Sequence, residues 1–123
     1  MTDAIYSDAP QGFAPQLDVR EFPATSTPLT GTAAATVTTG AFTAELGRPI
    51  WVTLSGSWAG SVQLLRSTDG GTTKLPLTYP DGSPRGSWTA AVNAPVTEES
   101  CAGATYYLAF ARTSGTLTYE VRQ

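Results

Sequence analysis

The chain has 123 residues, enough for one domain, and its 41% hydrophobic and 14% charged residues argue against disorder driven by charge. A net charge of −3, with seven Lys and Arg scattered singly, argues against a phosphate-tracking surface and so against nucleic acid as a partner. The absence of histidine removes the usual neutral-pH base and the commonest metal ligand, and the single Cys101 excludes an internal disulfide.

The start, MTDAIYSDAPQG, carries acidic residues where an export leader needs a basic end and an apolar run. No apolar run approaches the ~20 residues of a membrane helix. The chain is expected to be soluble, made in the cytosol and free of membrane contacts.

Residues 1–32 read as an extended arm. Pro10, Pro15, Pro23 and Pro28 exclude a helix and interrupt any central strand. Three readings are open: a solvated tail, an arm docked on a neighbouring subunit or partner, or an edge strand of its own domain. Phe13, Leu17, Val19 and Phe22 favour docking, because a purely solvated tail is more polar. A short strand is expected around Ala34 to Thr38, with a linker as the alternative. The compact core is expected to start near Ala41, where Phe42, Ala44 and Leu46 alternate with Thr43 and Glu45.

The stretch from Ile50 to Gly71 organises the rest. Ile50, Val52 and Leu54 share one side, and Trp51, Thr53 and Ser55 the other. Gly56 to Gly60 reads as a bend carrying Trp58, and Val62 and Leu64 resume the alternation as the second strand of a hairpin. Frequent β-branched residues and interrupting glycines disfavour a helix. The run Ser67-Thr68-Asp69-Gly70-Gly71 then closes that strand with residues suited to a tight turn.

Leu75 and Leu77 flank Pro76, which places this strand at an edge or makes it very short. Tyr79 to Gly86 is a turn-rich excursion at the rim. Trp88, Ala90 and Val92 give the next alternation, and Asn93 to Gly103 reads as a connection. In Ala104 to Arg112, Tyr106, Leu108 and Phe110 oppose Tyr107, Ala109 and Ala111. Ser114-Gly115 reads as a two-residue hairpin loop, and Leu117, Tyr119 and Val121 complete the last strand.

These elements make six core strands from Ala41 onward, and eight with those before it. Connections too short for crossover helices require mostly antiparallel pairing. The fold class is all-β: a small antiparallel β-sandwich, residues 33–123, behind an extended N-terminal arm, residues 1–32. A small β-barrel is the alternative.

Candidate sites are few. The run from Ser67 to Lys74 resembles the Asp-box turn, Ser-x-Asp-x-Gly-x-Thr-Trp, of sialidases and other propellers, with Lys74 where that motif has tryptophan. It occurs once, whereas a propeller repeats its blades. Asp69, Gly70 and Gly71 are therefore read as a structural turn. Glu98 and Glu99 read as a solvated loop pair, and nothing places two carboxylates across a cleft. Catalytic residues, metal ligands and cofactors are not expected. Of the aromatics, Trp51 or Trp88 is expected to fill the core, while Trp58 and Tyr79 are the candidates for an exposed binding surface. A sugar-stacking platform of aromatics is the alternative use.

The run GAFTAELGRPIWVTLSGSWAGSVQLLRSTDGGTTKLPLT, followed by YYLAFARTSGTLTYEVRQ, resembles small β-sandwich virion proteins of tailed bacteriophages. The shared features are the Gly-Arg-Pro turn before a strand, the Gly-x-Trp-x-Gly hairpin, the Arg-Ser-x-Asp-Gly-Gly turn and the closing Ser-Gly-Thr hairpin ending in Arg-Gln. The resemblance covers roughly residues 40–123. It implies a virion building block: a capsid decoration protein, or a neck, tail or fibre component. It also implies assembly in the host cytoplasm with the major capsid protein or another virion protein. A homotrimer on a local threefold axis is the expected assembly. A carbohydrate- or host-surface-binding module is the alternative function.

Overall fold

A computed structural model of the chain describes residues 26–123, and all of their regular structure is strand. The strands are β1 (Leu29–Ala33), β2 (Val37–Thr38), β3 (Phe42–Thr43), β4 (Pro49–Ser55), β5 (Trp58–Ser67), β6 (Leu75–Pro76), β7 (Ser87–Trp88), β8 (Val92–Glu98), β9 (Thr105–Gly115) and β10 (Leu117–Arg122). They form two sheets. The first has the order β1-β10-β4-β8. The second has the order β2-β9-β5-β6, with β3 also on β9 and β7 also on β5. Every named pair is antiparallel, and neither sheet closes into a barrel. The fold is thus a β-sandwich.

Alternation explains which side of each strand faces inward. Ile50, Val52 and Leu54 from β4, and Leu117 and Val121 from β10, meet Val62 and Leu64 from β5 and Tyr106, Leu108 and Phe110 from β9. Burying these side chains contributes about 1.5–3 kcal/mol each, which supplies most of the drive to fold.

The connectivity departs from the expected one. The two alternating runs around Trp58 are not a hairpin: β4 pairs with β10 and β8, while β5 pairs with β9. Nor is Ser114-Gly115 a hairpin loop, because β9 and β10 lie in opposite sheets. Both segments are corners between sheets. Alternation fixes the apolar side of a strand, but two strands stacked face to face carry the same pattern as two strands paired side by side. The run Trp88-Ala90-Val92 is likewise divided. Trp88 pairs with Val62 in one sheet, and Val92 pairs with Leu54 in the other.

The two corners touch. The Thr116 amide donates to the Ser57 carbonyl at 2.9 Å. Gly115 has φ +81°, and a Cβ there would collide with the Ser57 carbonyl and the Trp58 backbone. At the same end of the core the Trp58 ring stands edge-on to Phe110, 5.7 Å between centroids.

Two further expectations are corrected. Residues 93–98 are strand rather than connection, since β8 pairs with β4 along most of that length. Pro95 is accommodated because β8 is an edge strand and its register shifts there, Ile50 facing Thr97 but Trp51 facing Pro95. The sheet also starts earlier than the expected boundary between arm and sandwich. Leu29–Ala33 is already β1, in continuous register with Val121 to Leu117 of β10.

Other elements fall as expected. β6 is two residues long and sits at an edge. The edge strands of the second sheet are broken into β2 with β3 and β6 with β7, which leaves little continuous backbone for a foreign strand to pair with.

Candidate functional site

Of the expected site residues, Phe13, Leu17, Val19 and Phe22 lie outside the described residues. The remainder fall in three places: a hairpin turn, the rim beside it and a sheet corner.

The turn between β5 and β6 is built as a structural unit. Ser67 is buried, and its hydroxyl donates to Asp69 Oδ1 at 2.7 Å while accepting from the Gly71 amide at 2.9 Å. Asp69 Oδ1 also accepts from the Thr73 amide at 2.8 Å. That backbone bond, with the Ser67 hydroxyl, lowers the Asp69 pKa to about 2. Gly71 has φ +94°, and a side chain there would meet the Tyr107 hydroxyl. Lys74, in place of the Asp-box tryptophan, lies over the Tyr107 ring at 4.7 Å and donates to the Gly71 carbonyl at 2.8 Å. Tyr107 thus points away from the inter-sheet core and is still buried, roofed by this turn.

Beside the turn, Leu75 is 62% exposed and Tyr79 51%. Leu75 lines a depression of about 320 Å³ with Arg66, Thr68, Thr73, Leu77 and Thr78 among others, and Tyr79 follows Thr78 in the chain. The Tyr79 ring has the Arg85 guanidinium 5.7 Å from its centroid, and the Tyr79-to-Ser83 loop is held by Asp81, which accepts from the Ser83 amide and hydroxyl. Those bonds lower the Asp81 pKa. This rim pairs a large apolar side chain with an aromatic on a braced loop.

Glu99 is not a solvated loop acid. It is 3% exposed and plugs the end of the sandwich opposite the corners. Its carboxylate accepts from Arg66 Nε at 2.7 Å and Nη2 at 2.6 Å, from the Tyr106 hydroxyl at 2.6 Å, and from the amides of Ser100 and Cys101 at 3.0 and 2.9 Å. The bidentate Arg66 contact is the main cause holding its pKa down to about 2. Burial and the neighbouring carboxylate raise the Tyr106 phenol above its ordinary value. With every oxygen committed, Glu99 is an end plug. Its neighbour Glu98 is exposed and lines a shallow groove with Arg85 and Pro95.

Trp51 and Trp58 are exchanged relative to expectation, while Trp88 meets it in part. Trp58 is half-buried on Phe110, and Trp88 packs partly against the core. Trp51 is the outward one, 41% exposed on the outer face of the first sheet. The parity of β4 carried that signal, because Trp51 shares its side with Thr53 and Ser55 rather than with Ile50, Val52 and Leu54. Across the sheet Trp51 neighbours Arg122 on β10 and Pro95 on β8.

Among the described residues, no cluster of three or more Cys, Asp or Glu side chains is placed to hold a metal ion. No protein family, curated protein or solved structure matches the chain.

Proposed function

We propose that the chain is a structural protein of a tailed-phage virion, a capsid decoration protein that docks through its sandwich and its N-terminal stretch. The rim of Leu75 and Tyr79 is the observation that carries this reading. An exposed leucine and tyrosine on a braced hairpin are the anchors a protein partner desolvates, and tyrosine is enriched among the residues that dominate interface energies. The carboxylates support it as well. Asp69, Asp81 and Glu99 hold turns and an end plug, so in this reading the chain is no enzyme and needs no cofactor. The partner is the major capsid protein or another virion protein, and the chain acts as a homotrimer, whose symmetry repeats each weak contact.

The test is made on purified particles and on the isolated chain. Mass spectrometry and imaging of virions should find the chain on the capsid surface. β1 begins at Leu29, so the truncation that probes the arm stops at Thr25 and leaves the sheet whole. That variant should lose particle attachment while retaining its β-sheet circular dichroism. Tyr79→Ala with Leu75→Ser should weaken attachment at least tenfold. Absence of the chain from particles, or a truncated double variant that still attaches, overturns the reading.

A further inference from the structure

The outer face of the first sheet is organised in rows across the strands. One row is Thr32, Thr118 and Ser55; the next is Thr30, Glu120, Thr53 and Asn93; the third is Arg122, Trp51 and Pro95. Within it, Thr53 Oγ1 donates to Asn93 Oδ1 at 2.9 Å, and Arg122 Nη1 donates to Glu120 Oε2 at 2.8 Å. The face carries two shallow, open depressions. A depression of about 390 Å³ is lined by Thr30, Thr32, Thr53, Ser55, Thr118 and Glu120. A second, of about 400 Å³, is lined by Arg48, Pro49, Trp51 and Gln123. Trp51 borders the second, and Thr53, two residues along β4 on the same side, borders the first.

We infer that this face binds an uncharged oligosaccharide, with Trp51 as the stacking platform. A pyranose has one side made of C–H bonds and an edge of hydroxyls. The electron-rich face of an indole takes the first. Paired carboxylate, guanidinium, amide and hydroxyl groups, already held in place, take the second. Charge decides which sugar. Glu120 and Arg122 neutralise one another on this face, and Arg48 beside Trp51 is itself engaged by other groups, so no uncommitted charge selects an anionic glycan. Size decides how much of it. Three rows two residues apart span about 14 Å at ~3.4 Å per residue, a length that suits several sugar units in line rather than one.

A protein partner fits this face less well. Leu75 and Tyr79 present two large exposed side chains within five residues, whereas among the described residues the outer face of this sheet presents Trp51 by itself. Trp51 is flanked by Pro49, Pro95, Arg48, Arg122 and Gln123, and the rows beyond are hydroxyl, amide and ion pair. The inference does not depend on the virion reading, since the isolated chain suffices to test it.

The experiment titrates the full chain with neutral hexasaccharides of glucose, mannose and N-acetylglucosamine, followed by calorimetry and tryptophan fluorescence. At least one hexasaccharide should bind in the micromolar-to-millimolar range and shift the emission, with the matching monosaccharide binding at least tenfold more weakly. Trp51→Ala should abolish binding, Trp51→Phe should retain part of it, and Glu120→Gln should weaken it several-fold. Trp58→Phe should leave it unchanged. An unaltered thermal midpoint in Trp51→Ala shows that the loss is not one of folding. Three results overturn the inference: silence across the panel, binding that survives Trp51→Ala, or a Trp51-dependent complex with a protein in place of any glycan.

Discussion

Glu99 is the residue whose environment is most demanding. Five donors converge on one carboxylate that is nearly inaccessible to water, and such a group is costly to leave half-satisfied. Its folded pKa lies near 2 against an ordinary 4.5, so the folded state favours the ionised form. The stability this gives is full above pH 4.5 and is lost as pH falls from there toward 2. A shift of that size corresponds to about 3 kcal/mol. Glu99→Gln should therefore be destabilised by about 3 kcal/mol at pH 7, because an amide nitrogen now faces Arg66 or the Tyr106 hydroxyl. The gap between wild type and variant in urea unfolding should close progressively between pH 4.5 and 2. Asp69 and Asp81 also titrate low, but they are common to both proteins and cancel in the comparison. A gap that stays constant down to pH 2 would show that Glu99 is not the group responsible.

At the scale of elements, the two sheet corners depend on each other. Gly115 needs its positive φ, and a methyl group there meets backbone that cannot move aside. Gly115→Ala should cost about 3 kcal/mol or more in unfolding free energy, from left-handed strain together with overlap. A Cβ at Gly56 would approach the Thr116 carbonyl to 2.8 Å, on the other side of the same contact. Gly56→Ala and Gly115→Ala should therefore be non-additive by more than about 0.5 kcal/mol in a double-mutant cycle. Simple additivity would mean that the corners fold independently. These corners also mark how far the sequence could be read. The apolar sides of β4, β9 and β10 were legible because each strand buries one side, and the Asp69 turn was legible because its chemistry is local. The sheet to which each strand belongs was not, since pairing and stacking leave the same alternation. β8 was obscured by Pro95, whose tolerance depends on an edge position that only the assembled sheet supplies. Glu99 was obscured because Arg66, its main partner, lies 33 residues away in the chain. Trp51 was legible in principle: its parity placed it outside, although its size suggested the core.

For the molecule as a whole, the issue is where the sandwich begins. β10 is an interior strand only because β1 lies along it, with Leu29 opposite Val121 and Ala33 opposite Leu117. Ala33 belongs to the core, and Leu29 packs against it. A chain that starts at Ala34 loses both contacts and a five-residue ladder, and turns β10 into an open edge carrying Leu117, Tyr119 and Val121. The lost apolar burial alone is worth about 2–3 kcal/mol. An exposed edge of alternating apolar residues also invites pairing between molecules. Truncation through Ala33 should therefore lower the urea midpoint and promote concentration-dependent association seen by light scattering. Truncation through Thr25 keeps the whole β1–β10 ladder and should keep the midpoint close to that of the intact chain. Equal midpoints for the two truncations would mean that β1 contributes nothing to the folded body. The contrast also shows which of the first 33 residues belong to the folded body: residues 29–33 complete a sheet and so fall outside the proposed arm.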